Sequence, residues 1–256
     1  MTSAVQTQLA DGVLTITISR ADKKNALTND MYGALADAIE SAAADTSIRV
    51  LLLQSDGDLF TSGNDLGDFA KQSTGNGPAV RHVSRFLKNL ATTTVPIVAA
   101  VQGKAVGVGT TLLLHCDVVV LAEDAQLITP FVNLALIPEA ASTWLMPARI
   151  GHVRAYELFA LGEPLPAASA LAWGLANRVV PNASLRAEAA AIAKRIATKP
   201  LGSLAAMKGL MRDAQQIQAQ MDRESAIFSE RLKSAEAREA FAAFAEKRPP
   251  DFSKLG

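Results

Sequence analysis

The sequence predicts an α/β protein in which a strand-rich core precedes a helical extension. Three observations predict it. Residues 48–54, 96–101 and 118–121 are mainly apolar runs of strand length, as expected of strands buried on both faces of a sheet. Segments with helical spacing of apolar residues alternate with them. From Pro138 onward the chain is Ala-rich and reads mostly as helices, broken at Gly151, Gly162, Pro164, Pro166, Gly174, Pro181 and Pro200.

The elements follow in order. Residues 5–9 and 13–19 flank Asp11-Gly12, a strong hairpin signal because both turn positions tolerate positive φ. Thr28 is placed to cap a helix running to about Ala44, with Met31, Leu35 and Ile39 on one face. The strand 48–54 leads into a loop at 55–68 rich in Gly, Asp, Ser and Asn. Residues 71–78 read as a soft surface segment, and 81–90 as a helix. The strand 96–101 enters a glycine-punctuated turn at 103–109, then a short apolar helix at 110–115 and the strand 118–121. Residues 214–247 have helical periodicity, and no repeat of fixed period stands out.

Composition narrows the function. Of 256 residues, 49% are hydrophobic and 20% charged, which supplies a core and excludes general disorder. Lys and Arg number 25 and so do Asp and Glu. No net field draws the chain to nucleic acid or to an anionic membrane. The single cysteine, Cys116, excludes an intrachain disulfide and Cys-rich zinc sites. His82, His115 and His152 have no metal-ligand spacing. His115 and Cys116 read as core, and His82 and His152 as surface. Asp56, Asp58, Asp65 and Asp68 lack the glycine and terminal acid of a calcium loop. No metal is expected. The N-terminus resembles no signal peptide, no apolar run reaches the length of a membrane span, and a cytoplasmic location is expected.

Two loops can carry chemistry. Gly103-Lys104-Ala105-Val106-Gly107-Val108-Gly109 joins a buried strand to a helix. Its glycines let a ligand approach the backbone and leave N–H groups unpaired. The dinucleotide pattern G-x-G-x-x-G fails, because its third glycine position is Leu112. An oxyanion hole and a tight packing turn remain as readings. Phe60-Thr61-Ser62-Gly63-Asn64-Asp65-Leu66 also follows a buried strand. Ser62 lacks the G-x-S-x-G surroundings of a nucleophile. Two such turns on adjacent strands would bring two backbone N–H groups to one carbonyl oxygen.

Taken together, RADKKNAL (20–27), FTSGNDL (60–66), GKAVGVG (103–109), AEDAQLITP (122–130), AWGLANRVV (172–180) and EKRPPDF (246–252) resemble the crotonase superfamily, the enoyl-CoA hydratase/isomerase family. The resemblance implies a spiral of ββα units over 1–195 and a C-terminal helical oligomerisation region over 196–256. It also implies trimers or hexamers, an acyl-CoA thioester as substrate, a place in fatty acid metabolism and no cofactor, coenzyme A being part of the substrate. Carried over by motif, the oxyanion donors are the N–H groups of Ser62 and Val108. The resemblance also implies that Ala26, Gly63, Asn64, Asp65, Leu66, Gly107, Gly109 and Phe131 border the substrate.

Two positions that carry glutamates in the hydratases read Thr111 and Phe131. An acid stands instead at Glu139, which resembles the peroxisomal-type Δ3,Δ2-enoyl-CoA isomerases. A single carboxylate can take a proton from C2 of a 3-enoyl thioester and return it at C4. An enoyl-CoA hydratase using Glu139 and a non-catalytic acyl-CoA-binding scaffold are the alternatives. Pro138-Glu139 also reads as an ordinary helix start, where an acid complements the dipole. Burial beside Phe131, Ile137 and Trp144 would raise the Glu139 pKa. For the CoA phosphates, Lys23, Lys24, Phe228 and Lys247 match positions near the nucleotide.

Overall fold

The computed structural model describes residues 3–65, 67, 68, 78 and 80–253. The soft segment expected at 71–78 lies outside the described residues except for Pro78, and so does Leu66. Strands β1 (Val5–Ala10) and β2 (Val13–Ile18) pair antiparallel with Ala10 opposite Val13. Asp11 and Gly12 make the turn at φ 53° and 76°. Helix α1 (Asn29–Ala44) starts at the expected cap, where Thr28 Oγ1 accepts the Met31 N–H at 3.3 Å. There follow β3 (Val50–Ser55), α2 (His82–Thr92), β4 (Ile97–Val101), β5 (Lys104–Val106), α3 (Val108–Thr111), β6 (Val118–Ala122) and β7 (Gln126–Ile128). The second half holds α4 (Ser142–Ile150), α5 (His152–Leu161), β8 (Leu165–Pro166), α6 (Ala167–Ala172) and β9 (Arg178–Val180). It closes with α7 (Leu185–Ala197), α8 (Leu201–Met211), α9 (Ala214–Arg231) and α10 (Ala235–Glu246).

The large sheet has the order β1-β2-β3-β4-β6-β9, parallel from β2 onward. A small sheet, β5-β7-β8, stands beside it. Strands β4 and β6 each run on into a short strand of the small sheet, which gives the spiral of ββα units. Successive strand residues point to opposite faces, and both faces are covered. Leu51, Leu53, Ile97, Ala99, Val119 and Leu121 pack in one core with α1 and α2. Val50, Leu52, Val98, Ala100 and Val120 pack in a second with Leu185, Ala189, Ile192 and Ala193 of α7. Burial on both faces explains the apolar runs.

The second half is mostly helical as expected, with the short strands β8 and β9 among its helices. Three expectations need correction. The turn at 103–109 contains β5, whose residues pair with β7 and so form more than a turn. No helix starts at Pro138. Ala140 and Ala141 take φ of 63° and 55°, and this left-handed backbone delays α4 to Ser142. His82 is half-buried, lying over Gly33. His115 and Cys116 are in the core as expected. Among the described residues no helix is long and apolar enough to cross a membrane, and no group of potential ligands could hold a metal.

Candidate active site

The two loops meet because β5 bridges to the start of the first one. Thr61 pairs with Ala105, the Thr61 N–H donates to Lys104 O at 3.1 Å, and the Val106 N–H donates to Thr61 O at 3.0 Å. Gly63 takes φ 89° with its α-carbon so close to the second loop that a Cβ would lie 2.9 Å from Val106 O. Gly107, at φ 57°, turns the chain out of β5 into α3. As the first residue of α3, Val108 has no acceptor for its N–H among the described residues. That is the usual state of a helix N-terminus.

The first loop corrects the expected donor. The Ser62 N–H is committed to Lys24 O at 3.0 Å, and the Gly63 N–H to Thr61 Oγ1 at 3.1 Å. The Asn64 N–H has no acceptor among the described residues, while its neighbour Asp65 donates to Leu27 O at 2.9 Å. Asn64, Gly107 and Val108 line one small cavity of about 80 Å³ with Ser62, Gly63 and Phe131. The free pair of N–H groups therefore belongs to Asn64 and Val108. The order of the loop explains the shift, since the N–H groups of the two residues before Asn64 are spent holding it in shape.

Glu139 opens into a neighbouring cavity of about 330 Å³ that also borders Tyr32, Asn64 and Phe228. Its Oε1 accepts from Thr111 Oγ1 at 3.1 Å. Burial pushes its pKa up to about 7, opposed by the Thr111 bond and helped by the charge of Glu224. Trp144, expected to bury it, is 39% exposed and borders neither cavity. Tyr32 instead closes this side. Its hydroxyl donates to Asn64 Oδ1 at 2.5 Å, and burial together with the Glu139 charge raises its pKa. Asp65 is occupied otherwise. Arg20 Nη1 donates to it at 2.7 Å and holds its carboxyl below the usual range, and its Oδ1 accepts from the N–H groups of Gly67 and Asp68.

A third cavity, of about 640 Å³, continues from Ser62 and Asn64 past Ala26 to Lys23 and Lys24, with Arg248 also on its wall. Asn64 borders all three cavities. Phe228 borders the first two. Gly109 lies behind the second loop, where a Cβ would meet Thr61 Cγ2 at 2.5 Å. Lys247 ends α10 in the left-handed conformation and lines none of these three cavities, although the adjacent Arg248 does.

Sequence reasoning missed several supporting residues. Asn25 is 1% exposed, and its side chain ties the 20–27 loop to Asp56 O, Leu59 O and the Arg20 N–H. Its place inside RADKKNAL was the available signal. Glu224, from α9, is buried against the segment after Glu139, and no local pattern pointed to it.

The profile of the enoyl-CoA hydratase/isomerase family matches residues 8–254. The 1,2-epoxyphenylacetyl-CoA isomerase of Escherichia coli is 34% identical over 99% of both chains. Enoyl-CoA delta isomerase 2 of Rattus norvegicus is 32% identical over 93% of this chain and 62% of its own. The crystal structure of an enoyl-CoA hydratase/isomerase from Pseudoalteromonas atlantica superposes with a TM-score of 0.93 at 43% identity, covering 98% of this chain and 100% of that one. These relatives do not single out the peroxisomal type to which the motifs were likened. With two unpaired N–H groups on one cavity, a near-neutral carboxyl beside it and a match along nearly the whole length, this chain is an acyl-CoA-processing enzyme and belongs to the enoyl-CoA hydratase/isomerase family, whose members need no cofactor.

Proposed function

We propose that this enzyme isomerises 3-enoyl-CoA to 2-enoyl-CoA, with Glu139 as the single proton shuttle. The observation that carries the proposal is the placement of Glu139. It lies beside the cavity of the free Asn64 and Val108 N–H groups, and burial lifts its pKa to about 7. At that pKa one carboxyl can both accept and return a proton near neutrality. The thioester oxygen accepts from both N–H groups, which strengthen their hold as negative charge develops. Glu139 removes a proton from C2, and the electron pair spreads into a dienolate. The same proton returns at C4, leaving the double bond between C2 and C3. No water is consumed.

The positions that carry acids in the hydratases support this reading. Thr111 donates a hydrogen bond to Glu139, and Phe131 presents a ring to the oxyanion cavity. Neither can orient a water as a carboxylate would. The E. coli relative is named for another isomerisation of a CoA thioester, so 1,2-epoxyphenylacetyl-CoA belongs in the assay. Lys23 and Lys24, at the far end of the third cavity, face the CoA phosphates in this reading. In this reading the assembly is a trimer or hexamer, with the exposed Met207, Leu210 and Met211 of α8 as a contact surface.

The test is direct. Glu139→Gln should lower isomerisation of trans-3-hexenoyl-CoA by at least ~100-fold, while hexanoyl-CoA still binds with near-parent affinity. Turnover retained in that variant, or water uptake by trans-2-hexenoyl-CoA in place of a double-bond shift, rejects the assignment.

A further inference from the structure

The five residues from Glu139 to Thr143 are held from both sides. Ala140 and Ala141 both stand in the left-handed region, at φ 63° and 55°. Such backbone is strained for an L-residue, so neighbouring contacts must hold it. On one side His115, 0% exposed, bonds to Ala140 O at 2.9 Å. Arg212 Nη2 meets His115 Nδ1 at 2.8 Å. Arginine can only donate, so Nδ1 accepts and Nε2–H donates to Ala140. Burial and the nearby Arg212 hold His115 neutral, with its pKa lowered to about 3. On the other side Glu224, 3% exposed, spans the start of α4. Its Oε2 accepts the Ala141 N–H at 2.6 Å. Its Oε1 accepts the Thr143 N–H at 3.0 Å and the Thr143 hydroxyl at 2.5 Å.

We propose that Glu224 is a positioning residue for Glu139, gripping from α9 the backbone on which the proton shuttle sits. The inference rests on the role proposed for Glu139. A buried carboxylate is costly unless its oxygens are satisfied, and here the N–H groups that satisfy them are those of Ala141 and Thr143. Glu224 therefore fixes the strained segment rather than a regular helix. Its charge also acts on Glu139 through space and raises its pKa. The other groups facing Glu139 are Thr111 from α3 and Tyr32 from α1, with Asp65, Asp68, Arg81 and Asp222 around the cavity. Behind Ala140 stand His115, Arg212, Arg149 and Lys208. Of these, Glu224 joins a direct charge effect on Glu139 to hydrogen bonds on its backbone.

Two readouts test the proposal. One is kcat and KM with trans-3-hexenoyl-CoA. The other is the titration midpoint of Glu139 in the free enzyme, read by 13C NMR of carboxyl-labelled glutamate and assigned by its loss in Glu139→Gln. Glu224→Gln should lower kcat by roughly 10–100-fold, the loss expected from a displacement of about 1 Å, with KM near the parent value. It should also move the Glu139 midpoint below its parent value of about 7, because a neighbouring negative charge has gone. Glu224→Asp keeps the charge and loses the reach, so kcat should fall while the midpoint stays. A melting temperature lowered in both variants with parent kcat and midpoint would overturn the proposal, leaving Glu224 a structural cap. If neither variant folds, Thr143→Ala removes one bond to Glu224, and a parent kcat there overturns it as well. Failure of the isomerase reading is separate, since it would show as activity retained in Glu139→Gln, and the NMR midpoint would still report the Glu224 effect.

Discussion

In the role proposed for it, Glu139 would serve catalysis at the expense of stability. Its ordinary pKa is 4.5, and in the folded chain burial raises it to about 7. A base must be unprotonated, so kcat/KM for a 3-enoyl-CoA should rise with pH through about 7, the value for the free enzyme. Stability runs the other way. Between the two pKa values the folded chain binds more protons than the unfolded one. Folding stability is therefore lost as pH rises from about 4.5 to about 7, and the loss persists above. Glutamine carries no such penalty. Relative to the parent, Glu139→Gln should gain about 1–2 kcal/mol at pH 8, or a few degrees of melting temperature, and nothing at pH 4. The carboxyl borders an open cavity, which keeps the gain below the full value of the shift. Calorimetry at the two pH values decides it, and equal melting temperatures at pH 8 would show that burial does not strain this carboxyl.

At the scale of elements, the proposed oxyanion pair depends on how closely the turn before α3 approaches the turn after β3. Gly109 sets that distance, because a Cβ there would meet Thr61 Cγ2 at 2.5 Å. Thr61 cannot rotate away. Its hydroxyl donates to Asn25 O at 2.6 Å and accepts the Gly63 N–H at 3.1 Å. Gly109→Ala should therefore push the loops apart, cost about 1–3 kcal/mol of stability, and lower kcat at least tenfold with less effect on KM. Unchanged kcat in a steady-state assay would show that the loops can part without harm. The same elements show what was legible beforehand. The Asp11-Gly12 hairpin, the Thr28 cap and the buried strands were readable because turn chemistry and apolar runs are local signals. Strands β5, β7 and β8 were not, since two or three residues carry no period. Glu139 was singled out as the candidate acid, and its other reading, a helix start at Pro138-Glu139, fails because the left-handed Ala140 and Ala141 override a sound helix signal. The glycine turn at Gly107 and Val108 was legible as a candidate for an oxyanion hole, but the free N–H of the first loop belongs to Asn64, two residues beyond the expected Ser62. Deciding it required knowing that Lys24 O takes the Ser62 N–H. Glu224 lies more than eighty residues beyond the segment it holds, and only the folded chain joins them.

For the whole molecule, α8 links the large sheet to the site and leaves one face uncovered. Lys208 anchors the helix, donating to Asp117 Oδ2 and Val95 O, both at 2.8 Å, from a position 7% exposed. Met207, Leu210 and Met211 stand on the same helix 52%, 91% and 77% exposed. Their spacing of three and four residues places them on one face. An apolar face of this kind marks a protein contact, and the trimer or hexamer proposed above supplies one made from copies of the same chain. The consequence reaches catalysis. Helix α9 begins three residues after α8 ends and carries Glu224 and Phe228, and between the two helices Arg212 braces His115. Exchanging Leu210 and Met211 together for glutamate should give a folded monomer by sedimentation and circular dichroism. Its kcat should fall while its far-UV spectrum stays that of the parent, because the support beneath Glu139 loosens without loss of the fold. A parent enzyme that already sediments as a monomer would remove both the assembly and this route from the surface of α8 to the site.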